Sequence, residues 1–192
     1  MSKTNGKGDA WKNRHHYKSR GVKKEKQSRV LKMEPQVTLD EVYMSPLKTE
    51  RQYEVTRNGE GEPQITTIYV PRNLPQPKPT GVRVMDEYVA YLAAGHSNVT
   101  DFCNQRGLRL GDLDSLVFVL TGMRGVDFRQ RYQVRMMDEL LRYTSLTPAE
   151  VAHRCGLGKA FNLYQITKRE YNEAPMEHRK NIREKGDEGR YA

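Results

Sequence analysis

Cysteine, tryptophan and long apolar runs are all scarce in this sequence. The two cysteines, Cys103 and Cys155, are too few for a disulfide framework or a zinc site, and they read as small buried or half-buried thiols. No run approaches the ~18 apolar residues of a membrane span. Residues 1–20, MSKTNGKGDAWKNRHHYKSR, lack the apolar stretch of a secretory signal. A soluble cytoplasmic protein without a membrane partner is therefore expected. Also missing are a phosphate-cradling glycine loop, a cluster of metal ligands and any pairing of nucleophile with base. These absences argue against an enzyme, a cofactor or a metal. His96, His153 and His178 are scattered and read as surface or capping residues, and His15-His16 lacks a third ligand.

Acidic residues are scarce in one place. Of the 33 Lys and Arg and 24 Asp and Glu, 11 and 2 lie in residues 1–32, leaving 22 of each elsewhere. The whole net charge of +9 thus belongs to this stretch. Residues 1–34 have no sustained apolar period and read as a disordered basic arm. Such an arm gains affinity for polyphosphate by counterion release, without reading sequence. Trp11, His15, His16 and Tyr17 are interleaved with the charges and can stack on bases; the alternative is a solvated tail that aids solubility.

Residues 52–70 alternate as a β-hairpin. Tyr53, Val55, Ile65, Thr67 and Tyr69 recur at every second position, and Asn58-Gly59-Glu60-Gly61-Glu62-Pro63 supplies the turn. Two strands alone are marginal in water, so this hairpin needs a surface, either the following domain or a second copy. Residues 71–81, with four prolines, read as a stiff connector marking a domain boundary. From Val82 the period becomes helical. The first helix ends near Gly95. The second, Asp101 to Arg106, is capped by Thr100, and the third runs from Asp112 to Leu120. A long helix capped by Asp127 runs to Tyr143, with Phe128, Tyr132, Met136 and Leu140 spaced by four. Thr147-Pro148-Ala149-Glu150 opens the next helix with cap, proline and acid in order. Further helices are expected at Lys159–Tyr171 and from Pro175, with residues 181–192 as a polar tail. The expected architecture is mainly α, with two helix-turn-helix units joined by a long helix and preceded by the hairpin segment (35–80) and the arm.

Two helix stops repeat. Asp101-Phe102-Cys103-Asn104-Gln105-Arg106-Gly107-Leu108 aligns with Glu150-Val151-Ala152-His153-Arg154-Cys155-Gly156-Leu157 at an offset of 49 residues. A small residue (Cys103 or Ala152) lets the next helix cross closely, the glycine ends the helix, and the leucine plugs the crevice. Each unit is followed by an amphipathic helix whose outer face can enter a major groove.

On these residues, the stretch 99–179 resembles the two-unit DNA-binding domain of the AraC family. The second unit carries the likeness best, through Leu146–Ala152, Cys155-Gly156-Leu157, Lys168-Arg169-Glu170-Tyr171, Pro175 and Arg179. Asn172 stands where the family usually has glycine, and Asn also tolerates positive φ. The resemblance implies a sequence-specific DNA-binding regulator of transcription that reads double-stranded DNA mainly through the second unit. Asn162 and Gln165 lie where the family contacts bases, with Tyr164 between them, and Lys159, Lys168 and Arg169 are placed for phosphates. Arg129, Arg131 and Arg135 either add phosphate contacts or pair with Asp138 and Glu139.

The departures fall in the first unit. Its reading helix has Ser115, Phe118 and Val119 where the family tends to be basic, with Asp112 and Asp114 nearby. Packing or partner contact is expected there more than base reading. Gln133 and Met137 replace the family's usual Arg and Ala, which implies different packing in the connecting helix. Residues 1–80 are too short and polar for the family's sensor domain, so no small-molecule effector is expected. A homodimer through the 52–70 hairpin or the Phe118/Val119 surface fits the pattern. Two other readings remain open: an adaptor that uses a degenerate helix-turn-helix fold for protein contacts, and RNA binding through the arm.

Overall fold

The computed structural model describes residues 34–192; the stacking expected of Trp11, His15, His16 and Tyr17 and the basic arm that carries them lie outside the described residues. Within the described residues the elements are α1 (Leu39–Val42), β1 (Thr49–Arg57), β2 (Pro63–Pro71), α2 (Arg83–Ala93), α3 (Val99–Gln105), α4 (Leu110–Thr121), α5 (Gly125–Tyr143), α6 (Pro148–Arg154), α7 (Ala160–Tyr171) and α8 (Pro175–Ile182). The protein is mainly helical, with one antiparallel hairpin whose register pairs Tyr53 with Thr67 and Val55 with Ile65. No helix among the described residues is long and apolar enough to cross a membrane.

The four-residue spacing in the long helix does what its period implies. Phe128, Tyr132, Met136 and Leu140 are all at most 1% exposed, and Met137 and Leu141 join them. This stripe lets α5 pack against α2, α4, α6 and α8. Each of these large side chains contributes roughly 1.5–3 kcal/mol through burial. Gln133, unexpected in such a stripe, is also buried, and its Nε2 donates to the Cys155 carbonyl at 3.0 Å. The different packing expected there thus takes the form of one satisfied polar bridge from α5 to the end of α6.

The repeat is equally visible in the backbone. Leu108 N–H donates to Cys103 O at 3.0 Å, and Leu157 N–H donates to Ala152 O at 2.8 Å. Each bond closes its helix end in the same way. Beyond the turn, however, the offset grows from 49 to 50. Arg109 and Lys159 are the equivalent N-caps, and Gly122 and Asn172 are the equivalent left-handed C-caps at φ 69° and 59°. The extra residue is Gly158, at φ 76°.

Several boundaries are corrected. Asn98, not Thr100, caps α3, because its side chain accepts from Asp101 N–H at 3.2 Å. Asp127 lies inside the first turn of α5 and is held by Arg124 at 2.7 Å. The donor Gly125 N–H is instead satisfied by Asp114 Oδ1 from α4, at 2.7 Å. Among the described residues no domain boundary falls at 71–81, since residues 34–192 belong to one compact unit. Val37, Val42, Tyr43 and Leu47 enter the helical core, Met44 N–H donates to Tyr132 Oη at 3.1 Å, and Lys78 N–H donates to Glu41 O at 2.7 Å. Residues 181–192 are no free tail. Asp187 is buried against Arg142 at 2.7 Å, Gly189 N–H donates to Tyr143 O at 2.7 Å, and Tyr191 packs on Tyr143 and under Arg72. Short polar segments of this kind carry little periodicity, so only their tertiary partners reveal them.

Gly156 combines φ 69° with a close backbone approach, since a Cβ there would stand 2.7 Å from Gly95 O. Gly158 has a similar φ but open space around it. Gly158→Ala is expected to cost about 1–2 kcal/mol from backbone conformation alone. Gly156→Ala should cost distinctly more, because a rigid carbonyl must also move. Denaturant unfolding of the two variants checks this, and equal losses would mean that the Gly95 contact carries no energy.

Candidate nucleic-acid interface

α7 buries Leu163 and Thr167 and turns the opposite arc outward. That arc holds Phe161, Asn162, Tyr164, Gln165, Lys168 and Arg169, all exposed, with Phe161 at 65% and Tyr164 at 43%. Helical spacing makes these six positions contiguous. Lys159, the N-cap, is exposed at the start of the same surface. The carboxylate of Glu170 lies off the arc and accepts from Arg169 Nε at 2.8 Å and Gln130 Nε2 at 3.2 Å.

Not every side chain on the arc is equally free. Asn162 Nδ2 donates to Leu157 O at 2.7 Å, which ties it to the turn of its own unit. Lys168 Nζ donates to Asn172 O at 2.9 Å, near the end of α7 where a cation is favoured. Among the described residues the Gln165 amide has no side-chain hydrogen bond, and it lies centrally on the arc. Phe161 was not among the residues singled out from sequence. Its only sequence signal is its place one turn before Gln165, in the first turn of α7.

The connecting helix contributes one of the expected arginines to this neighbourhood. Arg129 borders a groove of about 420 Å³ together with Ser97, Asn162, Gln165 and Ile166, and its guanidinium donates to Ser97 O at 3.1 Å. Arg131, two residues on, faces the opposite side of α5. Arg135 is also elsewhere: it pairs with Asp40 and stacks on Tyr43. The alternative pairing with Asp138 and Glu139 is not what forms. Asp138 accepts from Tyr171 Oη at 2.5 Å and contacts His178 Nε2 at 3.1 Å, while Glu139 accepts from Ser45 Oγ at 2.6 Å and from Tyr43 Oη at 3.1 Å. His178 is therefore no surface residue. It is 4% exposed, stacked on Tyr171 at 3.9 Å and also in contact with Glu173 at 3.0 Å. Arg179 is buried too and donates to Leu146 O, fastening α8 beneath the second unit.

At the 50-residue offset, α4 can be compared with α7 position by position. Leu113 and Val117 are buried like Leu163 and Thr167. Outward, Asp112, Asp114, Ser115, Phe118 and Val119 stand where α7 has Asn162, Tyr164, Gln165, Lys168 and Arg169. Ser115 is exposed, Phe118 half-buried, and Leu110 and Val119 are exposed apolar residues. The acids of α4 have structural partners. Arg109 holds Asp112 in two bonds of 2.9 and 3.0 Å, which lowers its pKa, and Asp114 caps α5. Cys103 and Cys155 are buried free thiols, and burial pushes Cys155 up to about 12. Among the described residues, no three His, Cys, Asp or Glu converge as a metal-ligand set.

No protein-family model matches this chain, and no curated protein matches it. Three solved structures are similar. One is the DNA-binding domain of AdpA, a global transcriptional factor, in complex with a target DNA: 20% identity, 51% of this chain and 87% of that chain, TM-score 0.45. Another is the carboxy-terminal domain of the two-component response regulator yesN from Fusobacterium nucleatum, at 17% identity over 50% of this chain and 93% of that chain, TM-score 0.44. The third is the xylose-binding transcription activator xylR, at 21% identity and TM-score 0.43; the match covers 59% of this chain and only 29% of that one.

Because Asp114 caps a helix, Asp114→Ala is expected to lower stability by about 0.5–2 kcal/mol. Ser115→Ala, on the same exposed surface without such a bond, should leave stability unchanged. Thermal melting of the pair checks this. An Asp114→Ala variant as stable as its parent would remove the capping role.

Proposed function

We propose that this protein binds double-stranded DNA in a sequence-dependent manner and regulates transcription, with α7 as the helix that enters the major groove. The observation that carries this reading is the outer arc of α7: an exposed amide, an exposed aromatic and cationic side chains on one helical face without a carboxylate. A major groove about 12 Å wide admits such a helix. Gln165 is free to take adenine N6 and N7 in a bidentate grip, and Phe161 offers apolar contact to a thymine methyl. Asn162 gives one Nδ2 hydrogen to Leu157 O, which holds the turn, and keeps its second N–H and Oδ1 for contact with DNA. Lys159 and Arg169 serve phosphates, Tyr164 and Arg129 flank the groove, and Lys168 keeps two donors beyond its bond to Asn172. The charge of residues 1–32 adds affinity that depends on salt rather than sequence. The activity is one of binding.

A second reading applies to the first unit. α4 presents Leu110 and Val119 to solvent, and the only acids on its surface are structurally engaged. This composition suits protein contact better than a phosphate-lined groove. The adaptor function and the DNA-binding function thus differ in which unit does the work.

Selection of preferred sites by the full chain, followed by anisotropy titrations, tests the proposal. Gln165→Ala is expected to lose about 1–3 kcal/mol of discrimination at one base pair. Lys159→Ala should weaken all sequences alike and reduce the salt slope by about 1. If no site is enriched and neither variant changes binding, α7 does not read DNA and the adaptor reading takes its place.

A further inference from the structure

Among the described residues outside the helical units, the hairpin formed by β1 and β2 carries the exposed large apolar side chains. Tyr53, Val55, Ile65 and Tyr69 are 61, 64, 69 and 51% exposed, and the register puts all four on one face. Its two edges differ. Asn58 N–H donates to Glu62 O at 3.0 Å and Arg72 N–H to Lys48 O at 2.8 Å, bracketing the hairpin. With the register, these bonds make the even-numbered residues the hydrogen-bonded pairs between β1 and β2. The odd-numbered residues therefore turn their N–H and C=O outward. On the β1 edge this parity is visible directly, because Thr49 and Arg51 donate outward to Ala192 O and Arg190 O at 2.8 and 2.7 Å. The base of that edge is filled by the chain itself.

Among the described residues the β2 edge is open along its length. Its outward donors belong to Ile65, Thr67 and Tyr69, and they are bounded by Pro63 and Pro71, which have the same parity and no N–H. From Pro63 to Pro71 there is no charged side chain, whereas β1 carries Glu50, Arg51, Glu54 and Arg57. Exposed edges are ordinarily protected by charge, and a long uncharged one pairs with another strand. From this we infer that β2 is a homodimer interface: two copies pair their β2 edges antiparallel about a two-fold axis at Thr67, forming one four-stranded sheet.

The prolines set this register. Thr67 then lies opposite its own copy and Ile65 opposite Tyr69, with every outward donor of one strand meeting an outward acceptor of the other. The like-sized prolines meet at the ends, where no bond is possible. No like charges come into opposition, which makes a second copy the fitting occupant. The apolar face becomes continuous across both hairpins, with Ile65 and Tyr69 packing across the new seam. A single edge covers less than the ~800 Å² per partner of a standard interface, so a dimer that dissociates on dilution is expected. This inference goes beyond DNA recognition and is tested without DNA.

Sedimentation velocity of the full chain across the micromolar range should show a concentration-dependent dimer. Thr67→Cys should form a disulfide-linked dimer on oxidation, because Cα atoms of a hydrogen-bonded antiparallel pair lie about 5.5 Å apart. Gln64→Cys should not, since its position faces Val70 of the other copy. Thr67→Pro keeps the parity of Pro63 and Pro71, so the hairpin persists by circular dichroism while the dimer is lost. A monomer at every concentration, equal cross-linking at position 64, or a Thr67→Pro dimer would each overturn the proposal.

Discussion

The burial of one face of α5 is the constraint on which the rest of this structure depends. Nineteen residues of helix, about 28 Å long, carry a stripe of aromatic, methionine and leucine side chains that neither unit can bury alone. Pressing α2, α4, α6 and α8 onto that stripe joins two short helix-turn-helix units into one body. Around it the polar groups are placed by necessity. Gln133 must find the Cys155 carbonyl, and Asp138 binds Tyr171 and His178, because buried donors and acceptors without partners are costly.

The close approach at Gly95 and Gly156 adds a second, backbone-level restraint. A Cβ at Gly95 would stand 2.5 Å from Arg154 O, and one at Gly156 2.7 Å from Gly95 O. The end of α2 and the end of α6 therefore meet without room for side chains. Together with Gln133, this contact fixes the end of α6 relative to α5, and α7 packs on α6, so it helps set which residues accompany Arg129 at the groove beside it. The proposed reading surface is preorganised by packing rather than by its own hydrogen bonds, several of which run back into the turn or the helix end.

The two units then diverge by surface chemistry on a shared frame. Equivalent core positions are kept apolar or small, and equivalent caps are both left-handed. The outer faces differ: α7 is cationic and amide-bearing, whereas α4 is acidic and apolar, with its carboxylates engaged by Arg109 and by the start of α5. The segment before the units is part of the same frame. Tyr43 packs tilted against Tyr132 at 5.0 Å, and residues 190–192 close the base of β1. The hairpin is thereby held at its base while its uncharged strand stays outside.

Much of this was legible in the residues alone. Periodic apolar spacing marked the helices, and the paired glycine–leucine stops marked the repeat. Thr147, Pro148 and Glu150 announced a cap that forms as a full capping box, and Asn172 takes the left-handed turn that its side chain tolerates. These features are local, decided by neighbours within a turn or two. Tertiary structure alone decided the rest. It placed residues 36–47 and 183–191 against the core, buried His178 and Arg179, made Asp114 a cap for a helix that is not its own, and sent Arg129 to Ser97 but Arg135 to Asp40. It also left Phe161 and the β2 edge exposed. Each of these depends on partners many residues away, or on the absence of one, and a sequence pattern records only what is near along the chain.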